Sequence, residues 1–127
     1  MIKYLKKSLF KAVVSIVKGM NPKWIDKGVK YPKVDLHSWI ENPPVDKESS
    51  VREISFIVEA YSNTSYDEAV TIADAVAQRL CNEPITVEGA KVVSVEPDGT
   101  EEIEEQDNNN VVLYRQLNRL VVTIKSV

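Results

Sequence analysis

A chain of 127 residues, 43% hydrophobic and 28% charged, is long enough for one domain with its own core, and its ordinary composition excludes wholesale disorder. One cysteine, Cys81, excludes an internal disulfide and a multi-cysteine metal site. The net charge of −3 hides an asymmetry: residues 1–33 hold nine lysines and one acid, Asp26, while the rest holds seven basic and eighteen acidic residues. Such polarity suggests a molecule that stacks end to face or docks on charged partners; the plainer account is two unrelated solvated faces.

The spacing predicts a first helix over residues 2–18 within an N-terminal segment of residues 1–20. Ile2, Leu5, Leu9, Phe10, Val13, Ile16 and Val17 form its apolar side, and Lys3, Lys7, Lys11 and Lys18 lie largely opposite. Gly19 and Asn21-Pro22 end it. The apolar run from Ala12 to Val17 is short for a signal peptide and is closed by Lys18 without a small-residue cleavage site. It is also too short to span a bilayer, so the chain is expected inside the cell where it is made. A basic amphipathic helix can lie on a membrane, but packing on the protein's own sheet with the lysines in water is the expected arrangement.

After Trp24 and Tyr31-Pro32, alternation predicts a strand over residues 33–41. Val34, Leu36 and Ile40 point one way; Asp35, His37, Trp39 and Glu41 point the other. The Asn42-Pro43-Pro44 break opens a connection too long for a tight hairpin. A second strand follows over residues 52–61, burying Ile54, Phe56, Val58 and Ala60. Its other face carries Glu53, Ser55, Ile57, Glu59 and Tyr61. A sheet face with Trp39, Ile57 and Tyr61 among charges is neither clean core nor clean surface, and either the first helix or a neighbouring subunit could cover it. These three residues are candidates for a self-association contact, with Trp39 as the dominant anchor.

Ser65 followed by Glu68 reads as a capping box. It opens a helix over residues 66–80, with Tyr66, Ala69, Val70, Ala73, Val76, Ala77 and Leu80 in one stripe. Strand, cap and helix together are the expected core nucleus. A third strand is predicted over residues 85–96, bulged at Glu88-Gly89. Pro97-Asp98-Gly99 is a turn signal, and residues 97–110 read as a long acidic loop with Glu101, Glu102, Glu104 and Glu105. The loop's spacing does not fit an EF-hand, so it is expected to face solvent, a partner or a DNA channel rather than to hold a metal. The last strand, residues 111–125, needs a bulge near 116–118 to reconcile Val111 and Leu113 with Leu120, Val122 and Ile124. The expectation is a single α+β domain over residues 1–127, in the order α-β-β-α-β-β. Its four-stranded, mainly antiparallel sheet has order 1-2-4-3, with the second helix on the face of Ile54, Phe56 and Val58.

A chain of this order resembles the tail terminator (tail completion, head–tail joining) proteins of tailed bacteriophages. The resembling residues are Tyr31-Pro32, then Ile54-Ser55-Phe56-Ile57-Val58-Glu59-Ala60-Tyr61-Ser62. Asp67-Glu68-Ala69-Val70-Thr71-Ile72-Ala73-Asp74-Ala75-Val76-Ala77-Gln78-Arg79-Leu80 completes them. The lysine-heavy first helix and the long acidic loop depart from that pattern. The resemblance implies a structural virion protein of the tail or neck, assembled from the host cytoplasm into rings, typically hexamers, that join tail to head. Its implied partners are its own copies, adjacent portal, connector, neck and tail proteins, and DNA passing through the lumen without sequence-specific contact. It implies no membrane, no cofactor, no metal and no catalytic residue. The candidate assembly residues are Lys3, Lys7, Lys11, Trp39, Ile57, Tyr61, Glu101, Glu102, Glu104 and Glu105.

Two other readings compete. One is a nucleic-acid-binding module using the lysine-rich N-terminus, opposed by the acidic total and the lack of aromatic–basic interleaving on one strand. The other is an enzyme with a Cys81–His37 dyad, for which no third orienting group is visible.

Overall fold

The computed structural model describes residues 5–25, 30–42, 50–106 and 112–126. Helix α1 (Leu5–Met20) leads through a 3₁₀ turn (Pro22–Ile25) to strands β1 (Lys33–Asn42) and β2 (Val51–Ser62). Helix α2 (Tyr66–Asn82) follows, then β3 (Thr86–Val87), β4 (Ala90–Gln106) and β5 (Val112–Ser126). The strands form one antiparallel sheet of order β1-β2-β5-β4-β3. The last strand therefore lies between the second and the third region, as expected. The sheet has five strands rather than four because the chain reverses at Glu88-Gly89. That pair is the two-residue loop of a hairpin, not a bulge, and Gly89 takes the positive φ (76°) such a turn demands.

Both helices pack on one face of the sheet. Leu9, Val13 and Val17 of α1 and Ala73, Val76 and Leu80 of α2 are fully buried against Ile54, Phe56, Val58, Leu120, Val122 and Ile124. Helix α1 thus does not cover the mixed face. Phe10 stands edge-on to Trp39 at 5.4 Å, and Trp39 stacks on Phe56 at 4.2 Å, 6° from parallel. The expectation that Trp39 shares a face with Ile57 and Tyr61 is therefore corrected. Ser38 takes φ 60° and the β1–β2 register shifts between His37 and Ile40. One extra residue flips all that follow, sending Trp39 to the helices and leaving Ile40 49% exposed.

Two further corrections concern the second half of the chain. Residues 97–106 are not a loop: β4 runs through Pro97-Asp98-Gly99 by a register shift between Pro97 and Thr100, and pairs with β5 as far as Gln106. Gly99, at φ 102°, absorbs the irregularity. Residues 107–110 of the expected loop lie outside the described residues, as does Lys3. The expected bulge in β5 is absent from its pairing with β2, which is continuous from Val51↔Lys125 to Ser62↔Tyr114. Instead Gln116 and Asn118 occupy the core face and are buried under α2. Asn118 Nδ2 donates to Asp74 Oδ1 and Gln116 Nε2 to Asn118 Oδ1, both at 2.9 Å, which offsets part of their desolvation.

The start of α2 departs from a simple capping box. Ser65 Oγ accepts from the Glu68 N–H at 3.1 Å, as a cap should. The return arm runs through Ser62, whose hydroxyl donates to Glu68 Oε1 (2.7 Å) and accepts from the N–H groups of Thr64 (3.0 Å) and Ser65 (3.2 Å). Ser62 thus ties the end of β2 to the first turn of α2.

Candidate assembly interface

With the helices on one side, the alternation of β2 sends Ser55, Ile57, Glu59 and Tyr61 to the other. Register places Lys33, Asp35 and His37 of β1 beside them, with Arg115, Leu117, Arg119 and Val121 of β5 and Glu101, Ile103 and Glu105 of β4. Among the described residues no helix lies on this face, yet its centre is buried: Ile57 is 8% exposed and Glu59 1%. Ile57 and Leu117 sit at the floor of a recess of about 190 Å³ whose rim includes Asp98, Glu101 and Arg119.

A carboxylate as deep as Glu59 costs several kcal/mol unless it is paired. It is paired on both oxygens. His37 Nε2 meets Oε1 at 2.6 Å, while the Arg115 Nε–H donates to Oε2. His37 Nδ1 lies 2.8 Å from the Ser38 hydroxyl, so the bulge that turns Trp39 inward also orients the imidazole. Arg115 Nη1 donates to Glu105 Oε2 at 3.0 Å, which ties the centre of the sheet to its acidic edge. The hydrogen bond to Glu59 raises the Arg115 pKa above its ordinary value.

Tyr61 lies against this network. Lys33 Nζ is 5.0 Å and Arg115 Cζ 5.3 Å from its ring centroid. Burial first, then the Glu59 charge, pushes its phenol from 10.0 up to about 12. A raised folded-state value favours the native state fully below the ordinary tyrosine value, and this contribution is lost as pH climbs through the folded one. Absorbance titration should therefore show a tyrosine component with a midpoint near 12 that is missing from Tyr61→Phe. If the variant keeps that late component, the phenol responsible is another.

The structure gathers some of the sequence-derived candidates and separates others. Ile57 and Tyr61 share the open face with Glu101 and Glu105. Glu102 and Glu104 point to the helix side, where burial and then the charges of Glu104 and Glu102 raise the Tyr66 pKa. Lys7 and Lys11 are exposed on α1. His37, Glu59 and Arg115, which hold the open face together, were not singled out for it by sequence reasoning. The one available signal was a charge, Glu59, in the middle of the most apolar strand. The Cys81–His37 dyad does not form: His37 lies on the open face and Cys81 on α2, across the sheet. Burial, then Glu96, pushes the Cys81 thiol up and away from the thiolate form. Among the described residues, no three His, Cys, Asp or Glu side chains converge as a metal site, and no helix is long and apolar enough to cross a membrane.

Residues 27–126 match the family model described as "Tail completion protein gp17". No curated protein matches the sequence. In three dimensions the chain is similar to one in the solved structure titled "Virion of native gene transfer agent (GTA) particle". The TM-score is 0.66 and the identity 10%, over 97% of this chain and 95% of that one. At that identity the likeness is one of fold.

Proposed function

The chain belongs to the tail completion protein gp17 family and is a structural protein of the phage virion, and from that premise we propose that it assembles into a ring. The ring, a hexamer in the family resemblance, closes the tail tube and joins it to the neck or portal while DNA passes through its middle. The observation that carries this reading is the open sheet face. Ile57, Leu117 and Val121 lie there around a buried ion pair, with no helix over them among the described residues, and a specific protein contact of order 1,000 Å² or more would cover such a surface. Carboxylates at Glu101 and Glu105 beside a lumen would keep the DNA backbone from adhering. Trp39, stacked on Phe56, contributes to the subunit's own packing.

Light scattering and negative-stain imaging of the purified protein test the reading: a ring with a central hole is expected, and a monomer at micromolar concentration overturns it. The exposed lysines of α1 are assigned to docking on the next virion component. Docking should fall away at 1 M salt, where the Debye length is roughly 3 Å, before the ring comes apart. Lys7→Glu with Lys11→Glu should abolish docking and leave ring size unchanged. Loss of the ring itself, or binding of labelled DNA or liposomes in place of a protein partner, would reassign these lysines.

A further inference from the structure

Among the described residues two long edges of the sheet carry no partner strand. Strand β1 pairs only with β2 and, among the described residues, makes no backbone–backbone hydrogen bond on its other side, although the Leu36 carbonyl accepts from the Trp39 indole N–H. Strand β4 pairs with β5 on one side, but on the other β3 takes up only Ala90 and Lys91, so among the described residues the outer edge from Val92 to Gln106 has no partner strand. Long unpaired edges are templates for another strand, and natural folds cover them or disrupt them. Both edges are disrupted by bulges over part of their length, between His37 and Ile40 in β1 and between Pro97 and Thr100 in β4. That leaves two regular stretches, residues 33–37 and 100–106.

These stretches sit at the same level on opposite sides of the sheet. Lys33 pairs with Tyr61, Tyr61 with Arg115 and Arg115 with Ile103; Leu36 connects in the same way through Val58 and Asn118 to Thr100. Four antiparallel strands separate the two edges, β1 and β4 included, so β1 and β4 run in opposite directions. A second copy related by rotation within a ring therefore presents its β1 antiparallel to the first copy's β4. Charge selects this arrangement over a two-fold one. Pairing two β4 edges would set Glu101, Glu102, Glu104 and Glu105 against their own kind, whereas the β1 end supplies Lys30 and Lys33. A head-to-tail contact of this type closes into a ring when its rotation divides a full turn and otherwise extends as a filament.

We propose that the ring closes by strand pairing: residues 33–37 at the β1 edge of one copy pair antiparallel with residues 100–106 at the β4 edge of the next. The inference rests on the ring reading and names the contact that would build it. The sheets then join into one continuous wall, with every pair of helices on one surface and every open face on the other.

Cysteine cross-linking tests the pairing in a Cys81→Ala background whose size is measured first. Lys33→Cys is combined in turn with Glu101→Cys, Ile103→Cys and Glu105→Cys, all on the open face, so that a small shift in register is still caught. Under mild oxidation one combination should give a covalent ladder on denaturing gels up to the ring's size, while each single change gives none. Where a double variant does not assemble, amide hydrogen exchange on the wild-type ring decides. Alternate N–H groups of a strand face each edge, so every amide of residues 100–106 should exchange as slowly as those of β5. A wild-type ring with no ladder, or with alternate amides of that stretch exchanging as fast as that of the exposed Asn63, overturns the pairing but leaves the ring intact. A wild-type chain that stays monomeric overturns the ring reading and the pairing with it.

Discussion

Alanine in place of Phe56 should lower the unfolding free energy by about 4 kcal/mol, the middle of the range for truncating a buried aromatic. Phe56 is fully buried, the largest such side chain in the core, and its ring is stacked under Trp39. Truncation removes the transfer energy of the ring and leaves a cavity beneath an indole. The indole Nε1–H donates to the Leu36 carbonyl at 3.2 Å, which holds it in place and hinders collapse into the gap. For a domain of this size the loss corresponds to roughly 15 °C in melting temperature. Trp39→Ala should cost less, because Trp39 is only half-buried, but its effect should already be measurable in the monomer. A thermal or urea melt of the two variants checks both. A loss below about 1 kcal/mol for Phe56→Ala would mean that the stack is not central to the core.

Removing Arg115 is expected to cost about 3 kcal/mol, roughly 10 °C, because it leaves the Glu59 carboxylate in a nearly sealed position without its arginine, with His37 and the Tyr61 phenol as remaining partners. Arg115 keeps about a fifth of its side chain in solvent, which holds the expected loss at the low end for a buried pair. The pair itself need not stabilise the fold relative to apolar packing. Glu59→Leu with Arg115→Leu should accordingly lie close to wild type in a urea melt, although Arg115→Ala alone does not. Strong non-additivity in the cycle is the signature of one shared interaction. Additive losses, or a loss under 1 kcal/mol for Arg115→Ala, would show that the network does not hold the open face. The double leucine variant is also informative for assembly. If it folds but no longer forms rings, the polar centre serves the contact between copies rather than the stability of one.

The sequence by itself determined the elements whose two faces differ. In α2 the apolar stripe from Tyr66 to Leu80, with Ser65 ahead of it, could only be a capped amphipathic helix. In β2 the alternation of Ile54, Phe56 and Val58 marked both the strand and its buried face. Residue types also carried the family resemblance, because the β2–turn–α2 unit is where the core constrains them most. Beyond the reach of the helices the pattern is silent. The outer half of β4 is exposed except at Ile103, so little demands apolar residues there, and Glu101, Glu102, Glu104 and Glu105 read as a loop. Only pairing with β5, which satisfies the backbone groups the two strands turn to each other, makes it a strand. The same holds for Trp39: a single residue at positive φ, Ser38, reverses the parity of everything after it, and no local signal marks the slip. His37, Glu59 and Arg115 are separated by 22 and 56 residues. Tertiary structure alone brings them together, because β2 lies between β1 and β5 and a buried carboxylate is tolerated only where both neighbours supply a donor.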